Sequence, residues 1–182
     1  LALQAACQGD NAMPAFAEYF RIQGIRCRVQ AELTTKYLTL RGAEVRMDTF
    51  GPVEVPENTR DGMKQFFEKS LEIEETIEQS MKEAWAAANE TQDIDMMYYI
   101  GKKMMRHQTR VIYWTLRHIT GLESSNNAYL YDRLTMKPLV EKMMQGICAH
   151  RYSKWGRMMM QMMTPHERAC MQNEETEERR CN

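Results

Sequence analysis

Apolar residues recur every three or four positions along most of this chain, and clusters of glycine, proline and asparagine divide it into segments. This spacing is typical of helices that bury one face. Over residues 14–40 it predicts one long helix, because Pro14 is tolerated in a first helical turn and Arg41-Gly42 ends the pattern. The predicted inward face of this helix consists of Phe16, Phe20, Cys27, Ala31, Thr34 and Leu38.

The same spacing predicts a second helix over 60–88 and a third over 94–120, joined by a turn. Asn58–Asp61 is a plausible N-terminal cap for the former, and Asp93 is a good cap for the latter. A long loop with two prolines, 41–59, precedes them. The apolar positions of the 60–88 segment are Phe66, Ile73, Ile77, Met81 and Trp85.

Glycine, serine and asparagine break the pattern at 121–127, and a short helix is predicted near 127–137, where Pro138 could kink or end it. Beyond it, apolar pairs recur about every four residues over 139–163. Nine of the 17 methionines fall after residue 135. The pattern predicts an amphipathic helix with a basic opposite face.

The methionine stripe is most simply explained as packing by a flexible side chain, and a Cu(I) site of methionine and cysteine is the sharper alternative. A solvated tail would not be so regular, so we expect 139–171 to be buried against its own bundle, at a symmetry axis or on a partner. Residues 173–182 are charged and are predicted to be disordered.

Composition excludes several classes of function. The net charge of −1 gives no bulk attraction to nucleic acid, and no apolar run is long enough for a transmembrane segment. The five cysteines are scattered rather than paired in CxxC motifs, so a zinc site is not indicated, and His150 and His166 near Cys148 and Cys170 do not have a tetrahedral spacing. The first residues show no secretory signal pattern, which slightly favours the cytoplasm over secretion.

The stretch YYIGKKMMRHQTRVIYWTLRHITGL, residues 98–122 with Gln108 inside it, resembles the fourth helix of a ferritin. Residues 16–42 resemble the second helix of that family with its exit turn, and 70–80 resemble the start of the third. The resemblance is collinear from about residue 2 to 136. It implies an all-α fold, a ferritin-like four-helix bundle plus a short fifth helix, here followed by a Met-rich C-terminal helical extension.

The resemblance also implies a domain organisation. The expected parts are a ferritin-like bundle over 1–137, the Met-rich extension over 138–172 and the disordered tail over 173–182. Only the last two turns of the family's long first helix have a counterpart, at Leu1–Cys7. We expect that the sequence begins late within that helix; loss of the helix is the alternative, with 139–163 in the vacant place as a less favoured arrangement.

Family members with a ferroxidase centre hold two irons with inward carboxylates and a histidine. Carrying that motif over places its helix-three glutamate at Glu74 and its helix-four glutamine at Gln108, which we predict to be a remnant metal site. Its helix-two Glu-x-x-His pair falls on Cys27 and Gln30, so both of those ligands are replaced. A site with a thiol and an amide at these positions should not bind two irons tightly.

Two other iron-handling features of the family are also degraded. The glutamates where mineral nucleates match Arg26, Val29 and Glu32, so only Glu32 remains as a nucleation remnant. The acidic pair lining the channel for iron entry matches Tyr98 and Gly101.

These substitutions favour a non-catalytic subunit of a ferritin-like cage that takes part in iron storage and shell assembly, and not an enzyme. It would associate with itself or with other ferritin-like subunits, in a 24-subunit shell by resemblance, and iron is the metal that the resemblance implies. The alternative is a structural or partner-binding scaffold that does not handle iron. An active ferroxidase ranks last.

Overall fold

The computed structural model describes residues 13–46, 62–125 and 127–149, with side chains described up to residue 146. Within these ranges the regular structure is helical throughout. None of the described helices is both long enough and apolar enough to cross a membrane. The elements are α1 (Pro14–Leu40), α2 (Gly62–Glu90), α3 (Ile94–Tyr98), the π-helix π1 (Tyr99–Met105), α4 (Arg106–Ser124), α5 (Ala128–Tyr131), the π-helix π2 (Asp132–Met136) and α6 (Lys137–Ala149).

The helix predicted over 14–40 is confirmed at both ends. Pro14 occupies the first helical turn, where its missing N–H costs nothing. At the other end Gly42 has a φ of +78°, the left-handed conformation that glycine adopts without a steric cost. The N–H of Ala43 reaches the carbonyl of Leu38 and that of Gly42 reaches Thr39, so a Schellman motif closes α1.

The described chain divides into two compact units, and the first contains α1, π2 and α6. Within it π2 and α6 pack against α1. The inward face of α1 differs in part from the predicted one, because Ala31 is exposed, and this expectation was wrong. Cys27, Thr34 and Leu38 are only partly buried, and the fully buried apolar positions are Ala15, Phe16, Tyr19, Phe20, Ile22 and Val29.

The N-terminus of α1 is capped by a residue far along the chain. Met13 supplies no side-chain cap, and Pro14 has no N–H to satisfy. The N–H of Phe16 donates instead to Oδ1 of Asp132 in π2, at 2.8 Å, and the carboxylate is completely buried. Through this hydrogen bond a buried acid links π2 to the N-terminus of α1, which is the end where the helix dipole favours negative charge.

The second unit contains α2, α3, π1, α4 and α5, with α2 packed along α4. The turn between α2 and α3 uses Gln92, which has a φ of +55°. Asp93 then caps α3, since its Oδ1 accepts from the N–H of Met96 at 3.0 Å, and the predicted cap is confirmed.

The core of the second unit is mixed apolar and polar. Phe66 and Met81 are buried as the periodicity suggested, whereas Trp85 is 37% exposed, so its assignment to the core pattern was wrong. Polar side chains on α4 take core positions alongside the apolar ones. The buried residues of this unit include Met63, Phe66, Phe67, Glu74, Met81, Ile100, Gln108, Thr115, His118 and Leu122.

Two features of the helices depart from the predicted pattern. The helix expected over 94–120 is interrupted by the seven residues of π1 and ends at Ser124. The predicted fifth helix is not short, because helical turns continue from Ala128 through Pro138 to Ala149. Pro138 lies one residue after the junction between π2 and α6, and helical structure continues on both sides of it.

Other expectations fall on residues outside the described ranges. They concern the Asn58–Asp61 cap, most of the 41–59 loop, the Leu1–Cys7 segment and the chain beyond Ala149 with its methionines and cysteines.

Candidate functional site

Glu74 and Gln108, the two predicted remnant ligands, lie side by side in the second unit. Both are buried, Glu74 on α2 and Gln108 on α4. Nε2 of Gln108 donates to Oε2 of Glu74 at 2.7 Å and to the Glu74 backbone carbonyl at 2.8 Å. Because both partners are acceptors, the amide nitrogen and not its oxygen must face Glu74. The pair is a direct cross-link between α2 and α4.

This orientation bears on whether the pair can hold a metal. A metal at Glu74 would have to share the carboxylate with an N–H that already donates to it, and Gln108 would have to turn its oxygen inwards. Oε1 of Gln108 is buried and has no hydrogen-bond partner among the described residues. The Glu74 carboxylate therefore already accepts a hydrogen bond from Gln108, and the two side chains would have to rearrange to fit a dinuclear iron site.

The positions that match the other protein ligands lie on α1, in the first unit. Cys27 and Gln30 are both partly buried there, and the Cys27 Sγ accepts from Nη2 of Arg26 at 3.3 Å. Neither side chain offers a carboxylate or an imidazole. Across the described ranges, no group of three or more His, Cys, Asp and Glu side chains is arranged to hold a metal ion.

The residues that match the family's nucleation surface are buried or paired with a cation in this chain. Arg26 and Val29 are buried, so they do not present an open surface, and Glu32 is half-buried. The carboxylate of Glu32 lies 3.7 Å from Nε of Arg28 in an ion pair one helical turn away. The nucleation remnant thus has a neighbouring cation.

The positions that match the acidic channel lie at the start of π1. Tyr98 is about half exposed, and the Lys102 ammonium lies 5.0 Å from its ring centroid. The side-chain hydrogen bond from Lys102 lowers the pKa of the Tyr98 hydroxyl. An aromatic ring and a cation therefore occupy a place where the family pattern has carboxylates, and a cation would be repelled there.

A second buried polar cluster, in the same unit, was not indicated by the sequence. Nδ1 of His118 lies 3.0 Å from the Tyr131 hydroxyl in a hydrogen bond between α4 and α5, and the Phe67 ring is 5.2 Å from the imidazole. Burial, with a smaller contribution from the Arg117 charge, lowers the pKa of His118 to about 4. Gly121 leaves room for the Tyr131 hydroxyl, since an added Cβ would lie 2.6 Å from it. The histidine is neutral at physiological pH.

Asp132 is the other buried titratable group that sequence patterns did not reveal. Burial raises the pKa of its carboxyl, and hydrogen bonds from the N–H groups of Phe16 and Ala15 partly oppose that rise. A single acid within Tyr129–Leu134 carries no local signal of its role, because the helix that it caps lies more than a hundred residues away.

The family model described as Ferritin-like domain matches residues 1–125, more than half of the chain. The chain belongs to this family. No curated protein matches the sequence. Family membership and the helical structure together confirm the all-α, ferritin-like fold that the resemblance implied. Ferritin-like proteins generally form oligomers and typically bind iron.

Proposed function

We propose that this chain is a non-catalytic subunit of a ferritin-like cage, which contributes to shell assembly and to storage of iron as cargo without oxidising it. The Glu74–Gln108 hydrogen bond carries this proposal. Among the described residues, the one carboxylate at a matching ligand position is that of Glu74, and it already accepts from the amide N–H of Gln108 at 2.7 Å.

The replaced ligands support the same conclusion. A dinuclear centre in a helical bundle needs several inward carboxylates and histidines. Cys27 offers a soft sulfur, which iron(II) accepts less readily than oxygen or imidazole, and Gln30 offers a neutral amide. Two irons would bring four positive charges, and in the described ranges Glu74 is the one carboxylate at a position that matches the family's protein ligands.

Measurement of Fe(II) oxidation under air tests the proposal. The unmodified chain should add little to the rate of the buffer alone. The double substitution Cys27→Glu with Gln30→His restores an oxygen and an imidazole ligand, and it should raise the rate provided that the chain assayed includes the family's first-helix glutamate. Cys27→Gln with Gln30→Asn is the matched control, because it changes both positions without adding a ligand. Rapid oxidation by the unmodified chain would refute the proposal.

A scaffold that handles no iron is the second candidate, favoured by the Arg28 cation at Glu32 and by the Lys102–Tyr98 contact. The iron content of the native particle separates the two, since a storage subunit should purify with iron and a scaffold should not. Both candidates require a shell of many copies, 24 by family resemblance. Light scattering should give a mass many times the 21.4 kDa of one chain, and a monomer would contradict both.

A further inference from the structure

Positive charge is concentrated on one helical segment of the second unit. Residues 96–122 contain five lysines and arginines and no aspartate or glutamate, although the chain as a whole has a net charge of −1. Arg106, Arg110 and Arg117 are exposed, and their spacings of four and seven residues place them on one face of α4. Lys103 extends the row into π1. These four residues form what is called here the basic stripe.

In the part of the chain that the structure describes, the members of the basic stripe have no carboxylate close enough for an ion pair. Lysines on the neighbouring α2 behave differently, because Lys64, Lys69 and Lys82 each pair with a glutamate. A helix that keeps its cations exposed and unpaired is suited to contact an anionic surface.

The same unit carries a row of acids that have no ion-pair partner among the described residues. Helix α2 contains seven glutamates and three lysines. Glu75, Glu83 and Glu90 are exposed, and their spacings of eight and seven residues, about two turns each, place them on one face. These three residues are called here the acidic stripe. At 1.5 Å per residue, each stripe is about 20 Å long.

Exposed aromatic residues lie within the basic stripe. Tyr113 and Trp114 are each about half exposed, their rings meet edge to face, and the Arg117 guanidinium stacks on both. Tyrosine, tryptophan and arginine are the residue types that most often dominate the binding energy of protein interfaces. The stripe therefore combines long-range charge with side chains that can anchor a contact.

We propose that the basic stripe docks on the acidic stripe of a second copy of this chain. Every copy carries both stripes on different helices, and in the head-to-tail form of the proposed contact each copy keeps one stripe of each kind for the next copies. The two rows match in length and are opposite in charge. The contact rests on the proposed function, because it is one of the interfaces that would build the shell.

Charge reversal in the full-length chain tests the contact. Arg106→Glu, Arg110→Glu and Arg117→Glu together take the charge of the basic stripe from +4 to −2, and Glu75→Lys with Glu83→Lys takes the charge of the acidic stripe from −3 to +1. Each set alone should reduce the mass measured by light scattering at physiological salt. Mixing the two variants, or combining all five substitutions in one chain, should restore the association. Lys36→Glu, Arg46→Glu and Lys142→Glu together, at exposed positions on other segments, are the control for net charge and should leave the mass unchanged.

The outcomes are distinguishable. A large wild-type mass that neither reversal lowers, or a variant with all five substitutions that fails to reassociate although circular dichroism shows it folded, overturns the contact and leaves the shell standing. A wild-type mass of 21.4 kDa refutes the shell itself. If the arginine variants keep their mass and instead lose binding to inorganic polyphosphate, the stripe serves a polyanion and the proposed contact is wrong.

Discussion

Asp132 offers the sharpest test of how this fold is held together. Its carboxylate caps α1 from a distance of 116 residues in sequence, through the bond to the Phe16 N–H. Replacement by alanine leaves that buried N–H without an acceptor. An unsatisfied buried donor costs about 1–3 kcal/mol, and loss of a helix cap costs about 0.5–2 kcal/mol by an overlapping mechanism. We therefore expect Asp132→Ala to lower the free energy of unfolding by about 1–3 kcal/mol.

Asp132→Asn separates the hydrogen bond from the charge. Asparagine keeps an oxygen acceptor for Phe16, but its amide nitrogen replaces an oxygen that has no hydrogen-bond partner among the described residues. Asp132→Asn should therefore lower the free energy of unfolding, but by less than Asp132→Ala does. Glu141→Ala, at an exposed site on α6 in the same unit, should change stability by no more than about 0.5 kcal/mol.

The assay is thermal unfolding at equal chain concentration, since assembly makes the midpoint depend on concentration. For a chain of this length about 1 kcal/mol shifts the midpoint by roughly 2–4 °C, so Asp132→Ala should lower the midpoint by roughly 2–12 °C. Because the folded-state pKa of Asp132 is raised, its contribution is greatest at low pH and declines as pH rises through that pKa. A midpoint for Asp132→Ala equal to that of Glu141→Ala would refute the capping role.

Two further predictions concern the contact between α4 and α5. Gly121→Ala should destabilise the fold and displace Tyr131 from His118, which would be visible as a change in tyrosine absorbance. The control is Gly24→Ala, which has nothing within 4 Å of its added Cβ and should stabilise α1 by up to about 1 kcal/mol. Equal effects of the two substitutions on stability would contradict the packing argument. His118 has a folded-state pKa lowered to about 4, so its contribution is complete above pH 6.5 and is lost as pH falls towards 4. With His118→Gln, the free energy of unfolding should fall less steeply as the pH is lowered over this range. An unchanged dependence on pH would show that other groups cause the fall.

The sequence predicted the helices that local rules determine. Pro14, Gly42 and Asp93 act on their immediate neighbours, so the ends of α1 and the start of α3 could be placed from the chain alone. The pairing of Glu74 with Gln108 followed from the family resemblance, but its direction, with the amide nitrogen facing the carboxylate, depended on three-dimensional packing.

What the sequence could not predict depends on distant partners. The cap that Asp132 provides, and the burial of His118 beside Phe67 and Tyr131, join segments whose separation in sequence carries no periodic signal. Trp85 and Ala31 continue the apolar spacing of their helices but are exposed, although buried or partly buried residues follow each of them along the helix. Periodicity predicts which residues share a face, and not which positions of that face a neighbour covers.

The π-helical turns of π1 have a consequence for counting positions along this helix. Each such turn closes between residues five apart rather than four, so it accommodates an extra residue in the way that an insertion would. Ile94 and Tyr98 are therefore about one residue out of step with Gln108 and the positions after it, when compared with a regular helix of the same length. A one-residue deletion within Tyr99–Met105 should be tolerated better than one within Arg106–Ser124, because it would convert wide turns into regular ones instead of rotating Gln108 away from Glu74.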